Sequence, residues 1–376
     1  MRINKSLSAS LLAAAVCSLA PMTASAWSPK LEVSDTTWVQ LGYLHQAWFE
    51  AVDDGTAAGD DWSSDFFTRR SRVMLLGQAT DKVFFFLNYD AASGSSAEYR
   101  QDPVLTDAII DYRISPAFNV SVGRILVPFS FDNQTSAVSL LGIDYPTRAL
   151  VGLPTNSSGA FWRDDGIEVR GLLGDGLIDY RVGYFRGDRD TTRNPDEDGR
   201  FTGMVTINFG AAQGGWFFNG NSLGALDVLS IGVGYDSMGR SGSYTDGTVT
   251  RDYDDHEAYS VFAAMEKKLF GGTVAAQAAY YDWEGVGNPG GAFYNGGNTS
   301  ALTVGYLMGN GRWQPVVRWQ NQDPDDGDSL DTVGIGLSYY ISGHRANIKA
   351  EYSMDDQRNS DGDEVDAFRV SAQVFF

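Results

Sequence analysis

Cysteine is nearly absent. The 376-residue chain has one, Cys17, within its first 26 residues. Beyond that segment neither a disulfide framework nor a thiolate metal site is available. Histidine is scarce, with His45, His256 and His344 making up the set. Lysine beyond residue 26 is limited to Lys30, Lys82, Lys267, Lys268 and Lys349. No uncharged apolar run in that region approaches the ~20 residues a membrane-crossing helix needs. Positive charge is in the minority: setting Arg2 and Lys5 aside leaves 26 basic residues against 48 acidic ones, a net charge of −22. That sign argues against a nucleic-acid partner. Asp-Pro-Asp-Asp-Gly-Asp at 323–328 resembles a calcium-loop fragment but lacks the glutamate at the twelfth position. No cofactor and no metal are assigned.

The first 26 residues have the layout of a secretory signal peptide. Arg2 and Lys5 give a basic start, Leu11 to Val16 lie in an apolar stretch, and Ala24-Ser25-Ala26 ends it with small residues. Cleavage is expected before Trp27. A lipoprotein signal would also place a cysteine here, but Val16 is larger than the residue usually preceding it. An exported chain without a membrane helix is periplasmic, secreted, or held in the outer membrane as a barrel.

Period favours the barrel. Phe368, Val370, Ala372, Val374 and Phe376 alternate with Arg369, Ser371, Gln373 and Phe375. Val333, Ile335, Leu337 and Tyr339 alternate with Gly334, Gly336, Ser338 and Tyr340. One apolar and one polar face at every second residue is a strand pattern. Such segments are read near 36–50, 64–79, 82–91, 104–115, 117–129, 161–173, 176–187, 199–210, 225–236, 256–270, 272–284, 299–308, 311–322, 330–341, 344–355 and 364–376. Sixteen is an even number, which suits a single-chain barrel whose ends both lie on the periplasmic side. Short turns at Thr80-Asp81, Ser115-Pro116, Gly174-Asp175, Gly271-Gly272, Asn310 and Ser342-Gly343 alternate with long linkers. The stretch 211–224 breaks this rule, being long where a short turn is due. The expectation is an all-β transmembrane antiparallel barrel over 27–376, with the long loops extracellular. In hydrocarbon every backbone N–H and C=O needs an internal partner, which only closure provides for strands. Trp38, Trp48, Trp283, Trp313, Trp319 and Tyr352 are candidates for interfacial girdles.

Parity then selects the wet face. With Val73 and Leu75 toward lipid, Arg70 and Arg72 face water; Ile110, Tyr112 and Ile114 likewise place Asp107, Asp111 and Arg113 inside. Glu168, Arg170, Asp179, Arg181, Arg318, Lys349 and Arg369 follow in the same way. Arg or Lys on the lipid face would cost ~2–4 kcal/mol at the midplane. Arg124 fits poorly, since Phe118, Val120 and Val122 share its parity; a bulge near Gly123 would repair this. Mixed inward charges can set a transverse field that filters solutes, or pair to stiffen the wall. Residues 130–160 form the longest connection and are unusually apolar, with Leu140, Leu141, Ile143, Leu150 and Leu153. Such a loop is expected to pack inside the barrel as a constriction, bringing Asp132, Asp144 and Arg148 to the eyelet. A subunit interface is the alternative. The acidic runs of the long loops read as solvated surface, or as sites for divalent bridging to anionic lipopolysaccharide.

FFTRRSRVMLLGQATDKVFFFLNYD at 66–90 and VSVGRILVPFSFDNQTSAVSLLGIDYPTRAL at 120–150 resemble the phosphate-selective porin O and P family. Arg69, Arg70, Arg72, Tyr89, Asp90, Gly123, Pro128, Phe129, Thr135 and Ser136 carry the match, which is good over 66–186 and only a pattern beyond. The closing Phe376 matches the general signal by which outer-membrane barrels are inserted. The resemblance implies a sixteen-stranded barrel, a homotrimer, a third loop inside the pore, and passive diffusion of small hydrophilic solutes or ions across a Gram-negative outer membrane. The lysine ladder of the namesake channels has no counterpart here, so phosphate or general anion selectivity is an alternative rather than an implication; the inward arginines could support a weak anion preference, and a general or cation-leaning porin is an equal alternative. The acidic surface should repel anions at low salt. A barrel enzyme is a remote alternative, resting on His256 beside Asp254 and Asp255; it would need a nucleophile within reach. A soluble secreted β-protein would need a buried core, and a sheath for a haem protein fits poorly with a chain this short.

Overall fold

The computed structural model describes residues 30–53, 61–91, 103–150, 162–187, 196, 198–239, 243–246, 249–252, 255–285, 296–355 and 364–376. The expected signal segment and most of the long acidic loops lie outside the described residues, as do 151–160 of the third loop.

Sixteen antiparallel strands form a closed ring. They are β2 (Thr37–Val52), β3 (Ser63–Gln78), β4 (Val83–Asp90), β5 (Val104–Ser115), β6 (Phe118–Leu126), β7 (Arg163–Leu173), β8 (Ile178–Phe185), β9 (Arg200–Asn208), β10 (Val228–Met238), β13 (His256–Leu269), β14 (Gly272–Glu284), β15 (Gly297–Leu307), β16 (Trp313–Pro324), β17 (Leu330–Tyr340), β18 (Ala346–Asp355) and β19 (Val365–Phe375). The ring closes where β19 pairs with β2, from Phe375 opposite Leu44 to Ala367 opposite Val52. Closure leaves no edge strand, the condition for survival in hydrocarbon. Three further strands lie outside this ring. A short β1 (Leu31–Ser34) folds back on the start of β2, and β11 (Ser243–Asp246) pairs with β12 (Val249–Asp252) between β10 and β13.

Alternation decides what each face meets. Val73, Ile110, Val205, Val261, Val317 and Ile335 are exposed outward, a continuous apolar belt that lipid, not water, accommodates. Their neighbours Asp107, Ser121, Thr202, Ser260, Gln314 and Lys349 are buried inward. Trp313, Trp319 and Tyr352 point outward as expected for a girdle, whereas Trp48 and Trp283 are buried on the inner face and belong to no girdle. The repair suggested for Arg124 does not occur. Pairing of β5 with β6 runs unbroken through Val122 and Arg124, so Arg124 stays outward. It is neutralised there by Asp165, in a two-pronged pair of 2.9 and 2.8 Å.

Two segments leave the wall. After β6 the chain forms α1 (Phe131–Gln134), capped by Ser130, whose hydroxyl accepts from Asn133 N–H while the Asn133 side chain accepts from Ser130 N–H. A single 3-10 turn over Ala137–Ser139 follows, capped by Ser136. These caps satisfy donors that a turn buried away from water would otherwise leave orphaned. The second segment, 211–226, joins β9 to β10 at the end that carries the short turns. The strand count was therefore right, and the turn itself is the exception.

Candidate functional site

Residues 130–150 are bonded to inward-facing side chains around most of the ring. Gln46 on β2 donates to the Ala137 carbonyl (3.2 Å), and Tyr281 on β14 donates to Asp132 (2.7 Å). Thr299 on β15 donates to the Ala149 carbonyl (2.6 Å). Lys349 on β18 donates to the carbonyls of Leu140 (2.5 Å) and Gly142 (2.7 Å). Room for the segment's start is made on β10: a Cβ at Gly234 would stand 1.9 Å from the Phe129 carbonyl oxygen, which accepts from Ser260 at 2.6 Å.

One polar contact of this segment is a clamp. Asp144 accepts from Arg69 Nε (2.7 Å) and from Arg70 Nη2 (2.6 Å). Two consecutive arginines on one strand should face opposite ways. Here pairing slips between Gln46 and Ala47, which sit opposite Arg70 and Thr68, so Arg69 is the extra residue of a bulge and turns inward. Burial would raise the Asp144 carboxyl, but Arg69 and Arg70 hold it well below the usual carboxylate range. Arg70 also lies over the Tyr145 ring, 5.2 Å from its centroid. By contrast burial pushes the Asp132 carboxyl up to about 6, the hydrogen bond from Tyr281 pulling the other way.

Every lumen residue named from parity faces inward, and most are tied to an opposite charge. Arg72 is held by Asp90 (2.7 Å), Asp107 accepts from Arg163 (3.0 Å) and Asn88 (2.8 Å), and Asp111 joins Arg113 (2.8 Å) and Arg170 (3.3 Å). Glu168 lies 3.7 Å from Arg170, and Asp179 pairs with Arg181 (3.1 Å). Arg318 pairs with Glu351, Arg369 with Glu50 (2.5 Å), and Arg148 with Asp355. Arg148 is also pinned through its backbone, its N–H donating to Gln320 (3.1 Å) and its carbonyl accepting from Gln322 (3.1 Å). Sequence reasoning does not single out Arg69, Arg163, Glu351, Arg200 or Asp236 as lumen residues, and it names His256 only for the enzyme alternative. Parity could have found Asp236 and Glu351. His256 opens β13, is fully buried, and its Nε2 lies 3.0 Å from Asp236, itself held by Arg200 at 2.6 Å.

The 211–226 segment meets the third loop from the opposite side. Phe218 and Thr135 form a parallel bridge, with Ser136 N–H donating to the Phe218 carbonyl (2.9 Å) and Phe218 N–H to the Gln134 carbonyl (2.8 Å). Glu266 on β13 accepts from Ser222 N–H (2.7 Å), Ser222 Oγ (2.8 Å) and Gly224 N–H (2.5 Å). Asn221 donates to Gln314 (2.8 Å) and its carbonyl accepts from His344 Nε2 (2.6 Å). Burial and the nearby Lys349 lower His344 to about 4, so at neutral pH the ring is uncharged.

Two of the cavities flank the third loop. One of about 930 Å³ lies among β2–β4, the third loop and the 211–226 segment. The other, about 500 Å³, lies toward the long loops and is lined by Arg69, Asp144, Arg148 and Arg369. Among the described residues Tyr145 alone lines both.

Known proteins share this architecture. Residues 39–225 match the family model for phosphate-selective porin O and P. An uncharacterized protein of Aquifex aeolicus (strain VF5) is 22% identical over 356 residues, covering 83% of this chain and 81% of that protein. An anion-selective porin from Comamonas acidovorans superposes with a TM-score of 0.60 at 12% identity, over 90% of this chain and all of that one (100%). The trimer form of OmpT, an outer-membrane protein of Vibrio cholerae, gives 0.54 at 15% identity, over 91% of this chain and 100% of that one.

Proposed function

Because the chain belongs, by its match over residues 39–225, to the phosphate-selective porin O and P family, we infer that its lumen is a mixed-charge diffusion path narrowed by the third loop at Asp144 and Tyr145. The chain is an outer-membrane channel for small solutes. The observation that carries the finer reading is the meeting of two cavities at Tyr145, beside a carboxylate clamped by two arginines.

The roles follow from the pairing. Arg70, Arg72, Asp107, Asp111, Arg113, Glu168, Arg170, Asp179, Arg181, Arg318, Lys349 and Arg369 line the wall, and Asp132, Asp144 and Arg148 hold the loop that constricts it. Paired charges present a net field far weaker than a lysine ladder would, so phosphate is not favoured over other anions. The outer acidic loops attract cations at low salt; at 1 M salt, where the Debye length is ~3 Å, the arginine-rich constriction decides. An anion lean is the result. A signal peptide over 1–26 and a barrel over 27–376 complete the reading, and a homotrimer is supported by the Vibrio cholerae neighbour. The buried His256, tied to Asp236, offers nothing to a hydrolase and favours a channel without catalysis.

Planar-bilayer recording tests this. At high salt under a tenfold KCl gradient, the reversal potential should lie modestly on the chloride side. Added phosphate should block no better than other small inorganic anions. A strongly cation-selective channel, or none at all, overturns the reading.

A further inference from the structure

We propose that the 930 Å³ cavity on the short-turn side of the third loop binds organic anions with an apolar, ring-sized body, aromatic carboxylates being the class it fits. This rests on the channel reading above and names its solute class.

The charge of the lining is the first argument. Acidic residues outnumber basic ones in this chain by 48 to 28. Yet among the described residues the charged side chains lining this cavity are Arg72, Arg163 and Arg345, with no aspartate or glutamate. The carboxylates that hold Arg72 and Arg163, those of Asp90 and Asp107, belong to residues outside the lining. The cavity on the other side of Tyr145 differs, since Glu50, Asp144 and Asp355 line it together with its arginines.

The apolar wall is the second argument. Leu44, Met74, Leu76 and Phe86 project from three adjacent strands, and Phe217 and Phe375 complete the surface. A porin lumen for hydrated ions has no use for such a wall. A hydrated inorganic anion gains nothing from it, and the only charged side chains a cation meets among the described lining residues are arginines. A molecule with a carboxylate at one end and a ring at the other satisfies both halves, the ring losing water against Phe86 and Phe217 while the carboxylate takes a guanidinium.

The experiment is current block in planar bilayers, with chloride carrying the current and benzoate, acetate or phosphate added. Benzoate should half-block at a concentration at least about tenfold below acetate, a difference of about 1.4 kcal/mol. Leu76→Asn and Phe217→Asn, on separate segments, should each bring benzoate toward the acetate value. Arg345→Gln should weaken both carboxylates together. Variants are read only after heat-modifiable migration shows a folded barrel, and the benzoate-to-acetate comparison needs no variant. Equal block by benzoate and acetate in a conducting protein overturns this proposal alone. Asparagine variants that leave the benzoate value unchanged do the same. A protein that conducts nothing overturns the channel reading with it.

Discussion

Replacing Asp144 by asparagine tests the constriction most directly. The substitution keeps the shape of the side chain and removes one negative charge from the clamp that Arg69 and Arg70 close at 2.7 and 2.6 Å. A passing ion roughly 6 Å away feels that charge by about 0.7 kcal/mol in water, and by about half as much once salt near 0.15 M screens it. The change helps an anion and hinders a cation by the same amount. The anion-to-cation permeability ratio should therefore rise between about threefold and tenfold. Under a tenfold KCl gradient, with ~59 mV per decade for a monovalent ion, a channel that starts near neutrality should shift its reversal potential by roughly 20–40 mV toward chloride. The variant also leaves Arg70 buried with its partner weakened, a change worth up to about 3–5 kcal/mol of loop anchoring. Open-channel noise should rise accordingly. A reversal potential that stays put, or moves toward potassium, would refute the placement of Asp144 at the narrowest point.

Other predictions follow from the same contacts. Asp132 titrates near 6 in the folded chain against 3.8 for an ordinary aspartate. The folded state holds that proton more tightly, so stability falls as pH rises from about 4 to 6, by about 3 kcal/mol for that shift. Asp132→Asn should remove this part of the pH dependence of urea unfolding in vesicles; an unchanged slope would sink the assignment. Gly234→Val would drive a side chain into the Phe129 carbonyl, costing about 1–3 kcal/mol. It should also raise single-channel conductance as the start of the third loop is displaced. Glu266→Gln removes the charge that three donors converge on; hydrogen bonds to charged groups are worth about 1.5–3 kcal/mol. Limited proteolysis should then cut within 211–226, where the parent barrel resists.

The ring of strands was legible because lipid enforces the two-residue period along most of each strand. Val73, Ile110, Ile167 and Val317 point outward, and each of the parity-derived charges beside them points inward. Three features stayed hidden, each for its own reason. The bulge at Arg69 carries no composition cue, yet it turns a lipid-side arginine into half of a clamp. Trp48 and Trp283 looked like girdle residues because tryptophan is common at interfaces; Trp283 is instead buried against Phe129, ring centroids 5.4 Å apart, with its indole N–H on Thr299 (2.8 Å). The excess length and aromatics of 211–224 were visible. Its destination was not, since partners such as Glu266, Gln314 and His344 lie far along the chain.

The Thr135–Phe218 bridge joins two chain segments that enter the barrel from opposite mouths. Neither can swing aside while the backbone bonds at Ser136 and Phe218 persist, so the obstruction behaves as a single body hinged at both rims. Displacing either segment has to break those bonds, so the current through one barrel is expected to step between fixed levels instead of drifting through a continuum.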